Sequence, residues 1–132
     1  MPFFVKRLTA NELGHTRGHQ RGGILIPKDC VDFFPPLGRG ANPETQLAVS
    51  FGNTEVPLRL VYYIQGSRDE YRLTPIPHGI LRNAAVGDFL VIERLDNGRF
   101  SGEVIPAGSS RYTAIERVMG GRPGRVFRFL PP

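Results

Sequence analysis

The chain has one cysteine, Cys30, only two lysines, Lys6 and Lys28, and no apolar run of membrane-spanning length. A single thiol forbids an internal disulfide and excludes a cysteine-based zinc site, which fits a reducing cytosol. The opening MPFFVKRL holds a four-residue apolar run that Lys6 and Arg7 end. That is too short for a signal-peptide core, so the sequence reads as a soluble cytoplasmic protein without an address. Neither a G-x-x-x-x-G-K-[ST] phosphate loop nor a dinucleotide-binding glycine fingerprint occurs, and GGRPG near the end reads as a turn. There is no internal repeat.

With 132 residues the chain is expected to form one domain, residues 1–132, with a single core. Its 16 glycines and 12 prolines break a 40% hydrophobic sequence into short pieces, which favours strands and turns over a helical bundle. Apolar, β-rich stretches predict strands over 3–8, 24–26, 45–51, 56–64, 71–73, 89–95 and 99–105. Asp96-Asn97-Gly98 makes the clearest turn. Short helices are expected over 28–34, opened by Pro27 and stopped by Pro35-Pro36, and over 77–85. Seven strands without a βαβ rhythm imply a mainly β, mixed but mostly antiparallel barrel.

Positive charge sits at the two ends. The net charge is +5, yet residues 1–28 carry five Lys or Arg against one acid, residues 111–132 carry five Arg against one acid, and the middle carries seven Arg against ten acids. Such an asymmetry suits a polyanionic partner. Residues 111–132 read as a basic tail. Between the first two strands, about residues 9–23, lies TANELGHTRGHQRGG, in which His15, Thr16, Arg17, His19, Gln20 and Arg21 stand among Gly14, Gly18, Gly22 and Gly23. Those side chains offer donors for phosphates and base edges, and the glycines permit close approach or positive φ. A second polar arm, about residues 65–73, interrupts the alternating pattern with Gln65, Ser67, Arg68, Asp69 and Glu70 before Tyr71-Arg72-Leu73 resumes it.

Three stretches carry a family likeness. KRLTAN, then G-x-T-x-GHQ, then G-x-x-IP, in order from Lys6 to Pro27, resembles the opening of the N-terminal effector-binding domain of EcoRII-type restriction endonucleases. SRDEYRLTP is similar to that family's charged second arm, and VGDFLVIERL to its Gly-Asp turn and following strand. The one departure is Arg17, which precedes GHQ where glycine is usual. The resemblance implies a DNA-binding pseudobarrel related to the plant B-three domain. It implies a type II restriction enzyme's recognition domain that reads a double-stranded site with CC and GG ends, such as CCWGG. The contacts would come from Lys6 and Arg7 on the strand before the first arm, from His15, Thr16, Arg17, His19, Gln20 and Arg21 in that arm, and from Gln65, Ser67, Arg68, Asp69, Glu70 and Arg72 in the second. Arg suits guanine O6 and N7, Gln suits adenine, and a carboxylate can accept from cytosine N4. Asp69 and Glu70 would repel a bare phosphate backbone, so they argue for base reading. For Lys6 and Arg7 an outward place on an edge strand weighs equally with a phosphate contact.

The implied partners are double-stranded DNA and a nuclease domain of the same enzyme outside this chain, with no membrane. Binding would need no cofactor; Mg²⁺ would serve only that nuclease domain. A metal-dependent nuclease centre needs an acidic pair beside a lysine, and neither Lys6 nor Lys28 stands in such a pattern. VYYIQG matches only part of a GIY-YIG nuclease motif and reads as a core strand. His15 and His19 have the i, i+4 spacing of a helical zinc site, but the surrounding glycines oppose that helix. Two other classes remain open from residues alone: a small hydrolase using His15, His19 or His78, and an autoinhibitory domain that docks its basic face on an acidic partner.

Overall fold

The computed structural model describes residues 2–14, 23–40, 43–64, 69–75 and 79–131. Eight strands form one sheet: β1 (Phe3–Arg7), β2 (Ile24–Ile26), β3 (Glu44–Phe51), β4 (Thr54–Tyr63), β5 (Glu70–Thr74), β6 (Phe89–Arg94), β7 (Phe100–Ile105) and β8 (Gly124–Phe127). Their order is β2-β5-β4-β3-β7-β6-β1-β8. Of the described pairings only β3 with β7 is parallel, so the mixed, mostly antiparallel barrel expected from the sequence is present. The strand count is eight, not seven.

The sheet curls around an apolar interior. Alternation along each strand sends Phe4 and Leu8, Ile24 and Ile26, Leu47 and Val49, Val56, Leu58 and Leu60, Leu73, Leu90 and Ile92 inward. A 3-10 helix, Lys28–Phe33, crosses one end. Phe33 and Phe34 drop from it onto Phe4 and Phe100, with neighbouring ring centroids 5.1–6.4 Å apart. Buried aromatic clusters of this kind add stabilisation beyond the area they cover.

The stretch read as a basic tail holds a helix and the eighth strand. Helix α1 (Ser110–Met119) begins where the Ser109 hydroxyl accepts from the Tyr112 amide at 3.2 Å and stops at Gly120. Its buried face, Tyr112, Ile115 and Met119, covers the outer side of the sheet against Val5, Phe89, Val91, Ile105 and Phe127. Strand β8 escapes a sequence reading because it is four residues long and pairs only with β1 at the sheet edge.

No helix forms over the described part of residues 77–85. Residues 79–84 are turns and bends, while 77 and 78 lie outside the described residues. Two fixed points explain the difference. The Gly87 amide bonds the Leu8 carbonyl at 2.8 Å, and the buried Asp88 carboxylate accepts from Ala85 at 2.8 Å and from Ala107 at 2.9 Å. Ile80, Leu81 and Ala84 pack onto the barrel interior instead of forming a helical face.

The edges β2 and β8 meet through a seam. Pro27 lies so close to Gly124 that a Cβ there would stand 3.0 Å from the proline Cγ. Higher in the seam, Lys6 points inward on the same side of β1 as Phe4 and Leu8. Its ammonium meets Glu12 Oε1 at 2.8 Å, and both side chains are 2% exposed. The same carboxylate accepts from the Thr9 amide at 2.9 Å and the Leu25 amide at 2.8 Å, and the Thr9 hydroxyl accepts from the Glu12 amide at 3.3 Å. Thr9-Ala10-Asn11-Glu12 is thus a capping box whose glutamate also holds β2.

Breaking a buried ion pair from one side costs about 3–5 kcal/mol because the remaining charge is stranded. Glu12→Ala should lower the unfolding free energy by about that amount in urea titration, and Thr9→Ala by about 1 kcal/mol. Equal and small effects from both substitutions would show that the seam does not depend on the carboxylate.

Candidate nucleic-acid interface

Two polar segments leave the barrel on either side of β5. The first leaves β1 and returns at Gly23 into β2, whose Ile24 pairs with Leu73 near the end of β5. The second runs from Tyr63, the end of β4, to Glu70, the start of β5. Gly23 has φ +78, and a Cβ on it would stand 2.4 Å from the Leu73 carbonyl oxygen. No other residue type fits there without displacing backbone. Gly14 likewise has φ 77, in keeping with the positive φ expected of this arm. Gly18 and Gly22 lie outside the described residues.

Of the site residues expected in the arms, His15, Thr16, Arg17, His19, Gln20, Arg21, Gln65, Ser67 and Arg68 lie outside the described residues, as does His78. The five others are described, and two of them require correction. Lys6 is buried in the seam and spends its donors on Glu12 and the Arg7 carbonyl, so it is neither an outward edge residue nor open to a phosphate. The alternation of β1 places it inward, where only an acid can accompany it. Arg7 points to the opposite side of the sheet, toward α1. Its guanidinium reaches the Tyr112 hydroxyl at 3.2 Å, Glu116 at 3.3 Å and the Gly120 carbonyl at 2.9 Å, and lies over the Phe89 ring. It fastens the helix, filling the carbonyl end of α1 with a cation.

Asp69, Glu70 and Arg72 gather at the foot of the second arm. Arg72 stands between Leu25 and Val61 in one row across β2, β5 and β4. Its side chain, 12% exposed, donates to Glu70 Oε2 at 3.1 Å and to the Gly23 carbonyl at 3.3 Å. One guanidinium therefore ties the exit of the first arm to the exit of the second. Its Nε is the one buried side-chain donor without a partner among the described residues.

Asp69 is held on both oxygens. Tyr62 donates its hydroxyl to Oδ1 at 2.5 Å, and the Lys28 ammonium bonds Oδ2. Tyr62 in turn stacks on Tyr71, with centroids 4.5 Å apart. Sequence reading missed Lys28 and Tyr62 because neither lies in an arm. It also missed Glu12, although the spacing of Thr9 and Glu12 is the signature of a capping box. Cys30 is buried beside Asp29, and burial first, then that carboxylate, pushes its thiol up to about 12, so it is no thiolate at neutral pH. Among the described residues no group of three His, Cys, Asp or Glu could hold a metal ion.

The hydrogen bond from Lys28, and next that from Tyr62, holds the Asp69 carboxyl below its ordinary 3.8. The Tyr62 hydroxyl is raised above its ordinary 10.0, chiefly because it donates to Asp69. A depressed carboxyl contributes stability above its unfolded pKa and loses it as pH falls through the folded value. A raised phenol contributes below its unfolded pKa and loses it as pH rises through the folded value. The contact should therefore be intact between about pH 4 and 10. Carboxyl NMR titration is expected to place Asp69 below 3.8 and to move it back toward that value in Lys28→Met. An unmoved midpoint in the variant would deny the contact.

Residues 1–93, from β1 into β6 with the feet of both arms, match the family described as restriction endonuclease EcoRII, N-terminal. No curated protein was found to match the chain. Among solved structures, the N-terminal domain of Helicobacter pylori LlaJI.R1 superposes with a TM-score of 0.66 at 14% identity, covering 96% of this chain and 98% of that one. The B3 domain of UbaLAI restriction endonuclease, solved with its cognate DNA, gives a TM-score of 0.60 at 19% identity over 99% of this chain and 81% of that one. At such identities the likeness speaks for the fold, a B3-type pseudobarrel that includes α1 and β8 beyond the family match. By its sequence from 1 to 93 and by its fold, the chain belongs to the family of EcoRII N-terminal domains of restriction endonucleases.

Proposed function

We propose that this domain binds double-stranded DNA sequence-specifically as the recognition or effector domain of a type II restriction endonuclease, gripping one site between its two arms. The observation that carries the reading is the family match over residues 1–93, which takes in both arms and their feet. The placement of those feet supports it. Gly23 is level with the end of β5 and Asp69 lies just before its start, a separation of roughly 17 Å at ~3.3 Å per residue. Arms rising from two such points can straddle a major groove ~12 Å wide.

Within this reading the bases are read by the arms themselves. Arg17, Arg21 and Arg68 bring forked donors for guanine, Gln20 and Gln65 suit adenine, and His15, Thr16, His19 and Ser67 add shorter contacts to bases or phosphates. Glu70 remains a candidate acceptor for cytosine N4. A duplex with CC and GG ends, of the CCWGG kind, is the site this donor and acceptor set favours. Binding requires no cofactor, and this chain does not cut: cleavage belongs to a nuclease domain of the same enzyme.

A specific site typically binds about 4–10 kcal/mol more tightly than other DNA. Electrophoretic shift at physiological salt, across a panel of short duplexes, should find one preferred sequence, and its affinity should be unchanged by EDTA. Arg68→Ala and Glu70→Ala should each lose about 1–3 kcal/mol at its own base pair. Replacing Arg17, His19 and Gln20 together should leave only a weak, strongly salt-dependent attraction. Uniform affinity for every duplex would sink the proposal, and plasmid nicking by this chain with Mg²⁺ would return it to the enzymes.

A further inference from the structure

We propose that Lys28 and Tyr62 are positioning residues for the second arm, which hold Asp69 as a latch and so fix where that arm enters the DNA. The inference rests on the DNA-binding reading above and assigns Asp69 a new role in it. Asp69 immediately precedes Glu70, the first residue of β5, and so stands at the foot of the second arm. Each of its carboxylate oxygens already has a donor, Tyr62 on one side and Lys28 on the other. A residue that reads cytosine N4 turns an acceptor toward the groove; both oxygens of Asp69 are engaged by side chains of the barrel.

The two donors stand on firmer ground than the group they hold. Tyr62 lies one residue before the end of the long strand β4 and stacks on Tyr71, which packs against the barrel interior. Lys28 opens the 3-10 helix that Cys30 and Phe33 anchor in the core. Immediately before it, Pro27 lies against Gly124. Constraint therefore runs from β4 and the 3-10 helix onto the arm. One residue further on, Glu70 is tied through Arg72 to Gly23, so the same foot is also referenced to the first arm.

The pair is exposed, with Lys28 at 61% and Asp69 at 56%, and exposed pairs contribute little to global stability. Its worth lies in direction, since a misdirected arm cannot align its contacts however stable the barrel is. Lys28 is also one of only two lysines, and its ammonium bonds Asp69.

The test compares Lys28→Met, Tyr62→Phe, Asp69→Asn, the Lys28→Met/Asp69→Asn double variant and the charge swap Lys28→Asp/Asp69→Lys. Each is measured for affinity to the preferred duplex, to its single-base-pair variants and to unrelated DNA, with urea midpoints alongside. The latch predicts that Lys28→Met and Asp69→Asn each lose roughly tenfold on the preferred duplex, about one charge-assisted hydrogen bond. Tyr62→Phe should lose less. The double variant should be no worse than either single, the swap should restore most of the loss, and unrelated DNA and the urea midpoint should hardly change. The proposal is overturned if Asp69→Asn alters preference at one base pair while Lys28→Met does not, since Asp69 then reads a base. It is equally overturned if Lys28→Met weakens all duplexes alike with a shallower salt slope, since Lys28 then binds phosphate. Should the unaltered domain prefer no sequence, the DNA reading fails by itself. The latch is then judged by amide hydrogen exchange in residues 64–70, which must quicken in Lys28→Met; unchanged exchange refutes it.

Discussion

Glu12 is buried in the seam of the barrel, where its two oxygens collect the Lys6 ammonium, the Thr9 amide and the Leu25 amide. Those donors belong to the end of β1, to the start of the first arm and to β2. One carboxylate therefore closes the barrel and fixes both ends of the arm that interrupts it. Taking two charges out of water is costly, and an apolar pair of similar volume would serve stability as well or better. What the ion pair adds is direction, because this placement of the 9–14 segment gives the buried lysine and the Leu25 amide of β2 their partner.

The second arm is founded differently. Its exit is held from outside the core, by Tyr62 and Lys28 on Asp69 and by Arg72 on Glu70. Arg72 also bonds the carbonyl of Gly23, so the two arms share one reference point on β5. A recognition surface built this way separates its tasks. The eight-stranded barrel supplies rigidity, and the feet at Gly23, Asp69 and Glu70 supply direction. α1 lies on the other side of the sheet, fastened by Arg7 and by its own apolar face.

How much of this was legible follows from where the information lies. Strand β2 was readable to the residue, since Ile24-Leu25-Ile26 is bounded by Gly23 and Pro27. The sheet class followed from short alternating runs between punctuating glycines and prolines. α1 left its signals in place, with Ser109 as cap, Tyr112, Ile115 and Met119 on one face and Gly120 as stop, but they were submerged in a segment noted for its charge. β8 had no signal of its own, because four residues at an edge are defined by their neighbour. Lys6 is the instructive case. Phe4, Lys6 and Leu8 share one face of a strand, so its inward direction was written in the alternation, and Glu12 at capping-box distance from Thr9 was the acid to match it. The bonds from Lys28 to Asp69 and from Arg72 to Gly23 join residues 41 and 49 positions apart, and spacing alone does not reveal such pairs.

In the proposed function the arms read sequence and the barrel directs them. The most direct measurement is selection from a fully randomised pool of short duplexes, using the unaltered domain at physiological salt and sequencing what it retains. The account predicts enrichment of one short motif with CC and GG ends, and loss of that enrichment when Arg17, His19 and Gln20 are replaced together. A retained pool no different from the input, or the same motif recovered without those three side chains, would contradict it.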